Sequence, residues 1–423
     1  MRTLMILADI SNVWCSVSLP ELLKHERRLF DTHMAIAGGE QRQNALFGWL
    51  NQSGSVRRAW LSEIASAAEA IRAQSEILVV VGVSPALAGA RAALRLLLGR
   101  RVTAPRLIFV GDSFSADDWL DVPAALEGHD FSVLACGLTG NEAAPLAVLR
   151  ALHRILDSRY GEKRAGRVFV FAPEGTNALR KLAESERYRV FAHPSELAGG
   201  RSVLGPAGLT LMAAAGMNAD LLYSGAAEGF SLFDARNLDN PAWLCAAADL
   251  ALAEKGVCDK LLCVPTPASE ELGRWWAKTA CGRNRGGVGM RTLPLRLTAD
   301  LASVGDWLLD GADGHCALVL RLPPERRHAT VETMWTNEDG LKELAGADFG
   351  TLHDRMLDAA QDALTENGVP FVTLSCTDPM TDDKIGELLY FAEFSAELTA
   401  QAMGLTPSLH SDAAKLLEKP KGG

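Results

Sequence analysis

Short, continuously apolar runs alternate along this chain with segments of helical periodicity. The run 77–83 follows a helical pattern over residues 61–71 and precedes another over residues 87–98. Strands that are apolar on both sides belong to a sheet covered on both faces, and connecting helices make such a sheet parallel. The alternation therefore predicts an α/β protein with parallel sheets.

The apolar runs form two series, with strands predicted at 77–83, 107–110, 131–135, 168–171 and 190–192, and then at 261–264, 317–320 and 371–374. Two doubly wound parallel sheets joined near residues 205–225 fit the length, since a domain averages roughly 150 residues. We expect the strands at 77–83 and 261–264 to be central. The predicted organisation is an N-terminal helical segment (1–50), two α/β domains (51–215 and 216–388) and a C-terminal helical arm (389–423).

The charge balance limits the partners. The chain has 42 basic and 52 acidic residues, a formal charge of −10, and 48% hydrophobic residues. The excess of acidic residues argues against nucleic acid or an anionic membrane, and the apolar content excludes general disorder. The longest uncharged run, 202–219, contains Gly and Pro and favours a loop before a buried helix over a membrane span. Because Asp9 ends the first apolar stretch early, we expect no signal peptide and a cytoplasmic location.

The eight cysteines are scattered, and several lie in apolar runs where a reduced thiol acts as a small hydrophobe. Cys258 and Cys263 have no His or second Cys pair at the spacing of a zinc site. We therefore expect reduced thiols, no metal and no cofactor.

Three loops are candidate ligand sites, because ligands of parallel sheets bind beyond the carboxyl ends of the strands. They span residues 82–89, 137–145 and 199–208. The first two lead into helix N-termini, where free N–H groups attract anions. We predict a small-anion site there.

Several motifs follow one another in a fixed order along the chain. They are 44–49, Val79–Ala92 with its Gly-Val-Ser-Pro-Ala loop, Phe109-Val-Gly-Asp-Ser113, Gly199-Gly-Arg-Ser-Val-Leu-Gly-Pro-Ala-Gly208, Trp275-Trp276, Thr298-Ala-Asp-Leu-Ala-Ser-Val-Gly305 and 389–407. In this order and spacing, over residues 20–420, the chain resembles the glucose-6-phosphate isomerase family in its compact bacterial form.

The resemblance implies two sugar-isomerase domains, a C-terminal arm and a homodimer with pockets near the dimer interface. The Trp-bearing helix near 275 and the tail helix 389–403 fit a large apolar dimer contact. The implied reaction is the aldose–ketose interconversion of glucose 6-phosphate and fructose 6-phosphate, so a sugar phosphate is the expected partner. That chemistry needs a His or Lys for ring opening, a Glu to move the proton and an Arg to stabilise the enediolate.

The phosphate-binding positions implied by the resemblance are altered. The family's Ser-x-Ser-Gly-Thr-Thr-x-Glu loop is matched by Gly137-Leu-Thr-Gly-Asn-Glu, so that the candidate binding residues are Gly82, Ser84, Gly137, Thr139, Gly140, Asn141 and Glu142. Pro85 removes a donor from the first loop, which also fits a rigid turn. Glu142 is expected in the first helical turn, where it satisfies the helix N-terminus and repels phosphate. A capping arrangement without a ligand is the alternative.

The catalytic positions are altered as well. Arg201 matches the enediolate-stabilising arginine, although the aromatic residue that follows it is deleted, and a structural ion pair is the alternative. Arg283 occupies the place of the Glu base and Ala302 that of a His, and neither can exchange the proton.

The C-terminal stretch offers two further candidates. His410 lies where the family has Gln, and Lys415 lies about two residues from the family's Lys; a surface role is the alternative for this lysine.

Two functions remain open from the residues. The first is a sugar-phosphate isomerase with a rebuilt site that uses Arg201 with His410 or Lys415. The second is a non-catalytic relative that binds a different ligand or a protein partner. Because loss of a catalytic acid or base costs on the order of 10²–10⁴ in rate, we predict an isomerase activity that is weak, altered or absent.

Overall fold

Two five-stranded β-sheets organise the chain. The computed structural model describes residues 5–37, 54–83, 85–99, 101, 103–193, 203–281, 289–310, 314–324, 327–405 and 416–418. Its strands are β1 (Ile6–Asp9), β2 (Ile77–Val81), β3 (Arg106–Val110), β4 (Phe131–Cys136), β5 (Val168–Pro173), β6 (Arg189–His193), β7 (Asp259–Val264), β8 (Arg291–Arg296), β9 (His315–Arg321) and β10 (Phe371–Cys376).

Both sheets have the doubly wound topology that the sequence predicts. The first has the order β3-β2-β4-β5-β6 and is parallel throughout. The second has the order β1-β10-β9-β7-β8 and is parallel except for β1. The predicted central strands β2 and β7 each have a neighbour on both sides, but the middle positions belong to β4 and β9.

Helices connect the strands and cover both faces of each sheet. They are α1 (Leu19–Leu23), α2 (Glu26–Ala37), α3 (Gly54–Gln74), α4 (Pro85–Leu98), α5 (Ala116–Leu126), α6 (Ala143–Tyr160), α7 (Ala178–Ser185), α8 (Pro206–Ala214), α9 (Ala219–Leu232), α10 (Pro241–Glu254), α11 (Glu270–Cys281), α12 (Leu297–Leu309), α13 (Phe349–Glu366) and α14 (Asp382–Ala402). Within the described part of the chain, no helix combines the length and apolar character needed to cross a membrane.

The apolar core has a continuous central part and two outer parts. Strands β2, β4 and β5 are buried at every residue because helices cover both of their faces. On the outer face of the first sheet, α5, α6 and α7 pack through residues such as Val122, Leu152 and Leu179. The other face joins the second sheet through one cluster that includes α4, α8, α11 and α14. The first sheet is therefore packed on both faces, and one of these faces shares its core with the second sheet.

Two strands were not predicted. The N-terminal segment, predicted as helical, also contains β1, which pairs antiparallel with β10 so that Ile6 lies opposite Cys376. This strand has only four residues and is partly exposed. The second unpredicted strand is β8, which begins and ends with arginine. Neither strand therefore has the continuous apolar sequence of the others. The predicted domain boundaries stay predictions.

The apolar helices expected at a dimer interface are used inside one chain. Trp275 and Trp276 on α11 are each only 3% exposed. A Cβ on Gly89 of α4 would lie 2.8 Å from the Trp275 indole nitrogen, so this glycine lets the two helices approach closely. Most of α14 is buried against the same core. The homodimer stays a prediction, without the support that these two helices were expected to provide.

Candidate functional site

The carboxyl edge of the first sheet brings two of the three candidate loops together. Strands β2 and β4 are neighbours, with Val81 opposite Ala135. Gly82 follows β2 with φ +148°, and a Cβ there would lie 2.2 Å from the Cys136 carbonyl oxygen. Only glycine fits this contact. Of the other candidates, Ser84 of the first loop and Arg201 of the third loop lie outside the described residues.

The loop after β4 is tied to the start of α7. Gly140 has φ +79°, and a Cβ on it would lie 2.4 Å from the Asn177 amide oxygen. The Gly140 carbonyl accepts a hydrogen bond from the Leu179 N–H at 2.8 Å, and the Asn141 side-chain oxygen accepts one from the Ala178 N–H at 3.0 Å. These bonds fix the path of the loop from Gly137 onward.

Glu142 fills this loop with its own carboxylate. Its side chain is 2% exposed and accepts hydrogen bonds from the N–H groups of Thr139 and of Gly140, the latter at 3.2 Å. The Asn141 N–H donates to the Thr139 hydroxyl at 3.2 Å. The N–H groups of three successive residues are therefore occupied by side-chain oxygens of the loop itself.

The position of Glu142 differs from the expectation in one respect. It is the residue before α6 rather than part of the first turn, and its carboxylate bonds the preceding loop instead of the helix N–H groups. The physical reason is that the turn at Thr139 and Gly140 points its N–H groups toward this side chain. Glu142 therefore occupies the N-cap position of α6, but its carboxylate binds the preceding loop and not the helix.

Little space remains beside the loop, and a second carboxylate approaches it. The cavity lined by Gly137, Gly140, Glu142 and neighbouring apolar residues has a volume of about 10 Å³, close to the minimum for one water molecule. The Thr139 hydroxyl donates to the Glu418 carboxylate at 3.3 Å. Glu418 belongs to the C-terminal stretch, whose predicted site residues, His410 and Lys415, lie outside the described residues.

Of the two replaced catalytic positions, the structure describes only that of Ala302, on the helix that follows β8. Ala302 lies exposed on α12, and its methyl group offers no proton. Asp300 of the same motif accepts a hydrogen bond from the Arg296 N–H at 2.7 Å and so stabilises the start of this helix. Arg283 lies outside the described residues.

Sequence reasoning missed two polar residues at this edge. Asn177 joins the loops after β4 and β5, and its amide also donates to the Pro173 carbonyl at 3.0 Å. His193 ends β6, is fully buried, and neither ring nitrogen has a hydrogen-bond partner among the described residues. Burial lowers the pKa of His193 to about 4, so the ring is neutral at pH 7. The signal available in the sequence was a histidine at the end of an apolar strand.

Over most of its length the chain is similar to proteins named glucose-6-phosphate isomerase. It is 29% identical over 389 residues to the proteins from Bacillus cereus (strain B4264) and Bacillus thuringiensis (strain Al Hakam), a match that covers 89% of this chain and 86% of each relative. No protein-family model matches the chain.

Two solved structures share the fold. A hypothetical protein from Thermus thermophilus has a TM-score of 0.83, covers 97% of both chains and is 19% identical. A glucose-6-phosphate isomerase from Chlamydia trachomatis has a TM-score of 0.74, with 94% of this chain and 83% of that chain covered at 14% identity. At such identities the two structures show the fold alone. Together with the named relatives, they confirm the fold class and the family resemblance that the motifs predict.

Proposed function

We propose that this chain, a relative of the glucose-6-phosphate isomerases, keeps their fold but interconverts glucose 6-phosphate and fructose 6-phosphate weakly or not at all. One observation carries the proposal. The carboxylate of Glu142 is buried in the loop that the resemblance assigns to phosphate, and it accepts the N–H groups of Thr139 and Gly140.

Electrostatics oppose a phosphate in this loop. A phosphate must replace its water with several N–H and hydroxyl donors, and here those donors are engaged. Two like unit charges about 4 Å apart repel by about 4 kcal/mol at an effective dielectric constant of 20, which corresponds to roughly a thousandfold loss of affinity. Glu418 at the Thr139 hydroxyl adds a second negative charge. A sugar phosphate should therefore bind weakly.

The proton-transfer positions support the same conclusion. The resemblance places the base at Arg283 and a histidine at Ala302, and each loss lowers the rate by on the order of 10²–10⁴. Any remaining isomerisation would need a rebuilt site that uses Arg201 with His410 or Lys415. The homodimer that the resemblance implies, and the cytoplasmic location expected from the N-terminal sequence, belong to this proposal.

The second candidate function is a non-catalytic protein that binds a different ligand or a protein partner. The hydrogen bonds of the loop favour it, because the Thr139 hydroxyl, the Asn141 amide oxygen and the Glu142 carboxylate all have partners inside the chain. A loop that is satisfied in this way is stable without any substrate.

The test is a coupled assay of glucose 6-phosphate formation from fructose 6-phosphate with the purified full chain, together with titration calorimetry of fructose 6-phosphate near pH 7. We expect a turnover several orders of magnitude below the roughly 10 s⁻¹ that is ordinary for enzymes. Glu142→Thr should bind fructose 6-phosphate more tightly than the parent chain. The matched control, Glu63→Thr on the exposed side of α3, should not. A turnover near 10 s⁻¹, or a low-micromolar dissociation constant for the parent chain, would refute the proposal.

A further inference from the structure

A long groove runs between α5 and α6 on the side that faces away from the first sheet. Its volume is about 680 Å³, and it is open to solvent along one side. The floor is apolar and the rim is basic; the lining residues are Trp119, Pro123, Ala147, Ala151 and Ile155, with Arg150, Arg154, Ser158 and Arg159. Neither of the loops at the carboxyl edge contributes to it, so the groove is separate from the candidate site described above.

The spacing on α6 forms two parallel stripes. Ala147, Ala151 and Ile155 recur every fourth residue, and Arg150, Arg154 and Ser158 recur in the same way one helix row away. Residues four apart lie on one face of a helix, so each stripe is about 12 Å long and the two together span about 16 Å of the helix. The two alanines leave room for the side-chain ridge of another helix.

Two arginines on the rim have no polar partner in the described part of the chain. Arg150 and Arg154 are exposed, lie one turn apart and make no hydrogen bond or ion pair with any described residue. Arg159, by contrast, donates to the Leu126 and His129 carbonyls and lies over the Phe131 ring. Like charges four residues apart on a helix repel each other, and the chain as a whole has a formal charge of −10. Two unpaired guanidinium groups beside an apolar floor are complementary to carboxylates, which they bind through paired hydrogen bonds.

Two large apolar side chains at or near the start of α5 are exposed. Phe114 is 63% exposed just before α5, and Leu120 is 65% exposed on it. The acidic residues of α5, Asp117, Asp118 and Asp121, do not line the groove. Exposed aromatic and aliphatic side chains next to arginine are typical of protein interfaces.

We propose that this groove binds an amphipathic helix of a partner protein, which places an apolar stripe over Ala147, Ala151 and Ile155 and acidic residues against Arg150 and Arg154. The open side would leave one face of a small molecule in water, whereas a helix covers the groove. A second copy of the chain is the less suitable occupant, because a two-fold contact centred on this groove would bring the Arg150–Arg154 stripes of the two copies together.

The test uses two labelled 14-residue synthetic peptides and fluorescence polarisation. Both carry Leu at positions 2, 6, 9 and 13 to form an apolar stripe; the flanking positions are Glu in one peptide and Lys in the other. We expect the Glu peptide to bind the full chain at least tenfold more tightly than the Lys peptide. The affinity of the Glu peptide should decrease when the salt concentration is raised from about 0.05 M to about 0.5 M, because salt screens exposed charges.

Variants assign the binding to the groove. Arg150→Glu/Arg154→Glu should weaken the Glu peptide at least tenfold and strengthen the Lys peptide, and Ala151→Phe should weaken both by filling the floor. The matched control is Arg58→Glu/Arg355→Glu, the same charge change at exposed arginines of α3 and α13. Circular dichroism checks that each variant folds.

Three results would overturn the proposal. The first is that the parent chain binds both peptides equally well, and the second is that the control variant weakens binding of the Glu peptide as much as Arg150→Glu/Arg154→Glu does. The third is that the parent chain sediments as a dimer and Arg150→Glu/Arg154→Glu as a monomer, which would assign the groove to a second copy. None of these measurements depends on isomerase activity.

Discussion

Glu142 at the edge of the first sheet and Asp249 beside the second are both buried carboxylates, 2% and 4% exposed, but they are held differently. Glu142 is held by backbone N–H groups of its own loop. Asp249 on α10 is held by the Lys260 ammonium group on β7, with 2.5 Å between Oδ2 and Nζ.

The surroundings of the second carboxylate are those of a core. The Asp249–Lys260 pair borders a cavity of about 50 Å³, which Cys245, Trp276 and Thr292 also line. Burial raises the pKa of Asp249, although Lys260 acts to lower it, and burial raises the pKa of the Cys245 thiol to about 12. Water therefore has little access to compensate the charge if the ammonium group is lost.

The two carboxylates therefore have different roles: that of Asp249 supports the fold, and that of Glu142 fills a site. Backbone N–H groups at the open edge of a sheet donate hydrogen bonds to water or to a free anion as readily as to a side-chain oxygen. A carboxylate in the core needs its one cation. Replacing either partner of the Asp249–Lys260 pair should therefore affect stability most, and replacing Glu142 should affect ligand binding most.

The largest expected effect comes from Lys260→Met. It leaves Asp249 buried without a cation and should lower the free energy of unfolding by about 3–5 kcal/mol. The loss should shrink as the pH falls, because protonation neutralises Asp249. Urea denaturation at pH 7 and at pH 5 measures both effects.

The double variant Asp249→Leu/Lys260→Met should recover most of that stability, because no charge is left unpaired. Lys181→Met, at an exposed lysine of α7, is the matched control and should change little. A loss below about 1 kcal/mol for Lys260→Met would show that the pair does not support the core, and the comparison would fail.

Two buried histidines sharpen the comparison, because burial outweighs any charged partner. His33 has only the half-exposed Asp234 carboxylate, at 3.6 Å from Nε2, and neither ring nitrogen of His193 has a hydrogen-bond partner among the described residues. Burial lowers the pKa of His33 and of His193 to about 4 each. Below the unfolded-state pKa of 6.5, each of these histidines is protonated in the unfolded chain but stays neutral in the folded chain until the pH approaches 4. The stability is thus complete above pH 6.5 and is lost as the pH falls to about 4, by roughly 3 kcal/mol for each ring.

The measurement is the free energy of unfolding from urea denaturation at several pH values between 7 and 4. In His193→Leu the free energy of unfolding should decrease less steeply as the pH falls, because unfolding then takes up one proton fewer. Leu221→Ala, at an exposed leucine of α9 that does not titrate, should leave the pH dependence unchanged. An equal pH dependence in the parent chain and in His193→Leu would mean that His193 is protonated in the fold.

How far the sequence could predict these features depends on the range of the interactions. Continuous apolar runs such as β2 and β5 were predictable because burial on both faces leaves a local signal. The loss of hydroxyl residues from the loop after β4, and the presence of Glu142 in it, could also be read from the local sequence. The contact of Thr139 with Glu418 joins residues 279 positions apart, and Asp249 and Lys260 resemble ordinary surface charges until α10 packs on β7. Such pairings arise only from the tertiary fold.

The smallest expected effect on stability, and the most informative one about the site, comes from Glu142→Ala. It leaves the N–H groups of Thr139 and Gly140 without their acceptor and should cost about 1–3 kcal/mol. Because these groups lie at the edge of the sheet, inorganic phosphate at ten times its dissociation constant should restore about 1.4 kcal/mol to the variant. The parent chain, whose loop is filled, should show no such gain. Thermal unfolding with and without phosphate, using Glu63→Ala as the control, measures the difference. Equal stabilisation of the parent chain and Glu142→Ala would show that phosphate binds elsewhere, and that the Glu142 carboxylate does not occupy an anion site.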